Sequence, residues 1–505
     1  MYKNNFSYKI SMPSEWGGQK VLLYFIVLVS VLMAMLLGLI AVTGNPIIIS
    51  IAVAFVASAV LLIRVDWIVW LILSLGLLVT GLLPLFFDYF ASKAAWGVSL
   101  LGFSLMLIAL VKIVMTPDAR RNTPAFVWIA LVFIAYALIN SLVQWHSFGE
   151  TVGGFKRYFQ VWGLIFALCW VAFDKQQIRY WRLLFLFVAL VQLPFAIYER
   201  VIYVPIREGL KNSYPGMVPI DVVSGTFGAT LTGGGASGEM AIFLVIILAF
   251  LLARQKEKVL SSNKFLLLTP IIIAPLLLTE VKAVIVMIPL MFLVLYRNEM
   301  LIQFHRWLIG FVAISTFVVV AGYAYLFAMS QDKEKSMTEY IEQTLEHNLY
   351  DKGHFGGNSL NRTTVLPFWL EKQGLHDPAS FVFGNGLGSS HLVAGGHMAM
   401  RYFGYGIGLT AASTLLWDVG LLGIGLFFVI LILAWRCAAQ LRRESAIAEV
   451  RADAAAIQTA LVLFVFYLFY RLGMLEILSF QIPFAALLGY LAWLHCEHTC
   501  AITNK

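Results

Sequence analysis

A polytopic all-α bundle that crosses a membrane many times is the architecture this sequence predicts, on three grounds. Hydrophobic residues make up 61% of the 505-residue chain and charged residues only 12%, whereas a soluble domain carries about 25% charged residues. The apolar residues fall in runs of about 17 to 25, the length that crosses a bilayer as a helix. Lysine and arginine recur in alternate connections between those runs, as topology signals do.

About fourteen spans follow, near 21–43, 46–64, 67–85, 95–115, 125–144, 160–173, 181–198, 237–253, 264–279, 282–297, 307–329, 406–436, 455–471 and 476–495. The first is too long for a signal peptide and lacks a small-residue cleavage site, so it is expected to be retained. Around Glu280, Val281 and Lys282 two short runs almost touch, and a single bent or re-entrant element is the alternative there. The chain divides into N-terminal spans (1–198), central spans with a glycine-rich outer loop (199–330), a large, partly helical periplasmic loop (331–405), and C-terminal spans with a cytoplasmic tail (406–505).

Placing the N-terminus in the cytoplasm makes every even-numbered connection basic, from Lys112, Arg120 and Arg121 to Arg436, Arg442, Arg443 and Arg451. Both termini are therefore expected on the cytoplasmic side. The net charge of +8 belongs to this pattern and to anionic lipid headgroups. No basic block with interleaved aromatics points to nucleic acid. Of the four cysteines, Cys169, Cys437, Cys496 and Cys500, none falls in a long outer loop, so no disulfide framework is expected. The tail His495-Cys496-Glu497-His498-Thr499-Cys500 has no zinc-module spacing and reads as a frayed cytoplasmic end.

The anomaly is a set of basic residues on the outer side: Lys156, Arg157, Arg200, Arg207, Lys211, Lys282, Arg362, Arg401 and Arg471. A charge against an apolar run costs about 2.5–3.5 kcal/mol, unless it is paired or faces water. A lipid diphosphate is a suitable counter-charge, and arginine can grip it with two donors; the plainer reading is loop charges and snorkelling anchors. Glu280 and Lys282 either neutralise each other at a turn or act as proton acceptor and phosphate ligand. Two glycine-rich stretches, 224–238 and 382–391, could bring backbone N–H groups close to a ligand, or be flexible entries to the following spans. The second is neither a P-loop nor a dinucleotide fingerprint. It leads to His391, His397 and Arg401, where histidine can serve as base or phosphate ligand.

In order, the chain carries Ser-Gly-Thr-Phe-Gly and Gly-Ala-Ser-Gly (224–238), Thr-Glu-Val-Lys between two spans, and Asn361-Arg362. Trp369, Phe-Gly-Asn-Gly-Leu-Gly and Leu415-Leu416-Trp417-Asp418-Val419-Gly420-Leu421-Leu422-Gly423 follow. Over roughly 190–435 this resembles the O-antigen ligase and Wzy-type polymerase superfamily of bacterial membrane glycosyltransferases. The resemblance implies a metal-independent enzyme without cofactor in the bacterial inner membrane, acting at its periplasmic face. Its donor would be a polyprenyl-diphosphate-linked glycan and its acceptor another glycan, with membrane lipid and other polysaccharide export proteins as partners. Lys282, Arg362 and Arg157 would hold the diphosphate, with Arg200 and Arg401 in reserve; Glu280 and His391 are the candidate bases. Asp418 matches the family's acidic residue before Gly-Leu-Leu-Gly. Ligases place His-Asn about nine residues before that acid, and this chain has Leu409-Thr410, so a polymerase is expected over a lipid A–core ligase. A flippase of lipid-linked glycans would use the same charges along a path through the membrane; their clustering at one face argues for an enzyme.

Overall fold

The structure, a computed structural model, describes residues 64–86, 95–214, 217–279, 281–302 and 360–503 except Leu375, with a few single positions between 305 and 316. Almost all of the predicted spans 21–43, 46–64 and 307–329, together with Glu280 and all of 331–359, lies outside the described residues. The described chain is helical, and its only β pairing is one bridge between Ala229 and Gly235.

α1 (Val65–Ser74) continues as a π turn, Leu75–Val79. α2 (Ala95–Met115) stops where Thr116 precedes Pro117, because the residue before proline is pushed out of the helical region. α3 (Ala125–Val143) starts behind Pro124. α4 (Phe148–Phe159) is capped by Ser147, and a three-residue turn leads to α5 (Gly163–Trp170). α6 (Lys175–Tyr198) opens on a capping box made by Asp174 and Gln177. It runs through a π turn, Glu199–Tyr203, to Leu210. α7 (Ser237–Lys256), α8 (Ser262–Leu278) and α9 (Val284–Ile302) follow. Three short helices, α10 (Val365–Lys372), α11 (Pro378–Phe383) and α12 (His397–Arg401), precede α13 (Ala411–Glu444). α14 (Ala448–Tyr470), α15 (Gly473–Glu476) and α16 (Leu478–Thr503) complete the chain.

Seven of these helices are long and apolar enough to cross a membrane. Large apolar side chains such as Leu107, Val114, Val132, Leu142 and Leu183 are exposed on them, an arrangement suited to a hydrocarbon surrounding and not to water. α7 is apolar on every face and 83% of its core window is buried, as a helix enclosed by others must be; it packs on α6, α8, α9, α14 and α16. The 160–173 run departs from its expected form. α5 alone, eight residues and about 12 Å long, is shorter than a core about 30 Å thick, and the chain reaches from Glu476 at one end to Thr123 at the other only with α4 and the 160–162 turn included. α5 is buried between α2 and α16. The 406–436 and 476–495 spans begin later than the apolar pattern suggested, at Ala411 and Leu478.

α13 and α14 form a hairpin, so the 360–410 segment, the α14–α15–α16 turn and the start of α7 share one end of the bundle, here the loop end. At the opposite end Asp453, fully buried, accepts two hydrogen bonds from Arg254 at 2.7 and 2.8 Å and one from Arg182 at 2.8 Å. This ties α6, α7 and α14 together. Arg297 and Arg442 also lie at that end, both within reach of the Gln458 side-chain oxygen. Arg182, Arg254, Arg297 and Arg442, four of the basic residues that the sequence assigned to one side of the membrane, therefore lie at one end.

Candidate functional site

α13 is interrupted near its start. Gly420 has φ +65°, which removes the regular acceptor pattern for the turn before it and leaves the Trp417 and Asp418 carbonyls available. The 382–391 turn takes them: Asn385 N–H donates to Trp417 O at 2.9 Å and Gly386 N–H to Asp418 O at 2.9 Å. Gly384, at φ +82°, packs so closely that a Cβ would lie 2.5 Å from Asp418 O, and one on Gly420 would lie 2.4 Å from Val382 O. Both contacts are with backbone, which cannot swing aside. Gly420→Ala is expected to lower the thermal unfolding midpoint, with about 1–2 kcal/mol from the left-handed conformation alone and more from the overlap; a melt in detergent measures it, and an unchanged midpoint would refute the interlock.

The side chain of Asp418 completes the seat. Its carboxylate accepts from Ser390 N–H and Ser389 Oγ–H at 2.8 Å, and from Gly388 N–H and Tyr158 Oη–H at 3.0 Å. The other glycine-rich stretch repeats the device, since Ser224 and Gly225 N–H donate to Glu199 at 2.8 and 2.7 Å. Each turn does gather N–H donors round an acceptor, as glycine-rich turns can, but the acceptor is a carboxyl group of the chain itself. The expectation that these N–H groups face a ligand is corrected accordingly.

The turn delivers His391 to the loop end. There His391 Nε2 and an Arg157 guanidinium nitrogen both meet Glu476 Oε1. His391 Nδ1 accepts from Ala394 N–H at 3.3 Å, so the imidazole proton sits on Nε2 and points at the carboxylate. Burial alone would raise the Glu476 carboxyl, but the hydrogen bond from His391 and the charge of Arg157 bring it below the ordinary carboxylate value. Lys156 lies on the same helix, its ammonium 5.0 Å from the centre of the Trp96 ring. Burial, with Arg157 beside it, pulls Lys156 down to about 8. Among the described residues no carboxylate lies within ion-pair distance of it. The cluster therefore holds more positive than negative charge in a poorly hydrated place.

Around it lie other basic groups. Arg471 meets the buried carboxylate of Glu239 at 3.2 Å and donates to Gly235 O at 2.8 Å. Arg362 donates to Tyr470 O at 2.8 Å and stacks on the Tyr470 ring, with the guanidinium carbon 4.6 Å from its centre. Arg207 is buried and donates to Gly233 O at 2.8 Å, so it fastens the glycine stretch. Of the remaining candidates, Lys282 is exposed two residues before α9, Arg401 is exposed at the end of α12 beside Tyr402, and Arg200 sits in the π turn after α6. Glu280 lies outside the described residues. His397, grouped with His391 in the sequence, turns instead to Glu150. Glu476 was hidden as the first residue of an apolar run; the short Leu-Gly-Met-Leu-Glu interval after Arg471 was the available signal. No family model matches the chain, and no curated protein matches it.

Proposed function

We propose that this protein is a membrane glycosyltransferase that polymerises polyprenyl-diphosphate-linked oligosaccharide repeat units into an exported polysaccharide. In this reading the loop end faces the periplasm, both termini lie in the cytoplasm, and the whole chain makes about fourteen membrane passages. The observation that carries it is the Lys156–Arg157–Glu476–His391 cluster. An excess of partly buried positive charge surrounds one ionised carboxylate at one end of an apolar bundle. A lipid diphosphate leaving group needs the positive charge, and an attacking sugar hydroxyl needs an acceptor for its proton.

The acceptor hydroxyl attacks the anomeric carbon of the donor sugar. The bond from that carbon to the diphosphate oxygen breaks, and the lipid diphosphate leaves with the bonding pair, stabilised by Arg157 and Lys156. Glu476 takes the hydroxyl proton. His391, donating its only ring proton to Glu476, positions that carboxylate instead of acting as base itself, which revises the role first assigned to it. A weak base suffices, because an oxocarbenium-like centre makes the incoming hydroxyl acidic late in the reaction. Arg362 and Arg471 extend the cationic surface. Leu409, where ligases carry a histidine, offers no base, and Thr410 beside it caps α13 through Ser413, which favours polymerase over ligase.

The test is incubation of the purified protein with a polyprenyl-diphosphate oligosaccharide in detergent. Longer lipid-linked glycan and free lipid diphosphate are expected, and Arg157→Ala should slow both by about 100- to 1,000-fold. Transfer to lipid A–core without lengthening would make it a ligase. Movement of intact lipid across vesicles with no covalent product would end the enzyme reading.

A further inference from the structure

A second group of side chains at the loop end takes no part in that scheme. His146 lies just before the Ser147 cap of α4, Glu150 lies in the first turn, and His397 opens α12. His397 Nδ1 is 2.8 Å from Glu150 Oε1, and His397 N–H donates to Glu150 Oε2 at 3.3 Å. The rings of His146 and His397 stack, with centroids 4.5 Å apart and planes 30° from parallel. One nitrogen of each histidine and one oxygen of Glu150 all lie within 4.8 Å of one another. Glu150 is 3% exposed while His146 is exposed, so the group has a buried anionic floor and an open side.

We propose that His146, Glu150 and His397 form a binding site for a divalent transition metal, zinc by preference. A buried carboxylate requires a counter-charge, and two stacked imidazoles cannot both supply one without placing two cations face to face. A single dication bound by two neutral nitrogens and one carboxylate oxygen meets both requirements. Two histidines and one carboxylate with positions left for water are a ligand set zinc uses readily. Magnesium and calcium favour all-oxygen sets, and late first-row ions bind imidazole most tightly. The metal would pin α4 to the 391–397 loop. α4 carries Arg157 and the loop begins with His391, so occupancy fixes the spacing of the two groups that hold Glu476. The ion sits apart from the sugar transfer and has a positioning role; the site stands whether or not the transferase reading does.

The full chain, purified in detergent and stripped with a chelator, is titrated with zinc by calorimetry. Cys496→Ser and Cys500→Ser are present throughout, to remove the thiols of the tail. One zinc per chain is expected, with affinity at least about 100-fold weaker in His146→Ala and in His397→Ala, beyond what losing an outer-sphere partner causes. Cobalt should give visible ligand-field bands without a sulfur charge-transfer band. His146 is exposed, so its alanine variant keeps the fold and decides the matter even if His397→Ala does not. Zinc should also raise the melting point of the parent protein and leave that of His146→Ala unchanged. Absence of saturable binding, or equal binding in His146→Ala, overturns the proposal.

Discussion

Asp418→Ala is expected to loosen the 387–391 part of the turn and to destabilise the protein by about 3–5 kcal/mol, as several buried donors lose their acceptor together. Four donors lose their acceptor at once: the N–H groups of Gly388 and Ser390 and the hydroxyls of Ser389 and Tyr158. Each buried donor left unmade costs about 1–3 kcal/mol, and the site is fully enclosed, so water cannot replace the carboxylate cheaply. Asp418→Asn keeps the volume but turns a donor toward donors, and should recover little. The turn also keeps its two backbone bonds to Trp417 O and Asp418 O, so the helices should still insert while His391 swings away from Glu476. Hydrogen exchange at 386–391 should rise sharply in the variant, with little change in α13 beyond Gly423. Unaltered exchange and an unaltered melting point would show that the carboxylate does not hold the turn.

What the sequence made visible follows from what is local. α2 and α3 are legible to within a residue, because their apolar runs are bounded by Thr116-Pro117 and Pro124. The start of α13 is misjudged by five residues, since Gly406 to Leu409 are apolar in composition but belong to the loop, and Thr410 is the cap. α6 extends past the expected end at 198 to Leu210. The charges of Glu199, Arg200 and Arg207 read as a loop there, whereas Glu199 and Arg207 spend themselves on the backbone of the glycine stretch. Arg157 and His391 stand out by being basic or titratable on the wrong side of a topology pattern. Their shared partner did not, because Glu476 is 319 positions from Arg157 and looks like the ordinary first-turn acid of a helix. For the same reason the glycine turns read as open donors: the carboxylates that fill them, Glu199 and Asp418, come from other elements and become neighbours only through packing.

Glu476→Gln should abolish most turnover while leaving the bundle intact, and it separates chemistry from scaffold. The substitution preserves size and the oxygen that faces His391 and Arg157, but removes the proton acceptor, for which a loss of about 100- to 10,000-fold in kcat is expected, with KM for the lipid-linked donor little changed. Arg157→Ala should divide differently, raising KM as well as lowering kcat, because the guanidinium binds the diphosphate before and after it leaves. The pH dependence gives a readout that a merely structural role would not move. Folding holds the Glu476 carboxyl below its ordinary value of 4.5, so its ion pairs contribute fully above that pH and are lost as pH falls through the lowered value. The acid limb of the parent rate profile should follow that titration and vanish in Glu476→Gln. In the double variant Arg157→Ala/Glu476→Gln the losses should fall short of the sum of the single losses, since either change already dismantles the same pair. A Glu476→Gln protein that lengthens glycan at the parent rate, with the same acid limb, would remove Glu476 from the chemistry and leave it as a strut between α4, the 391 turn and α15.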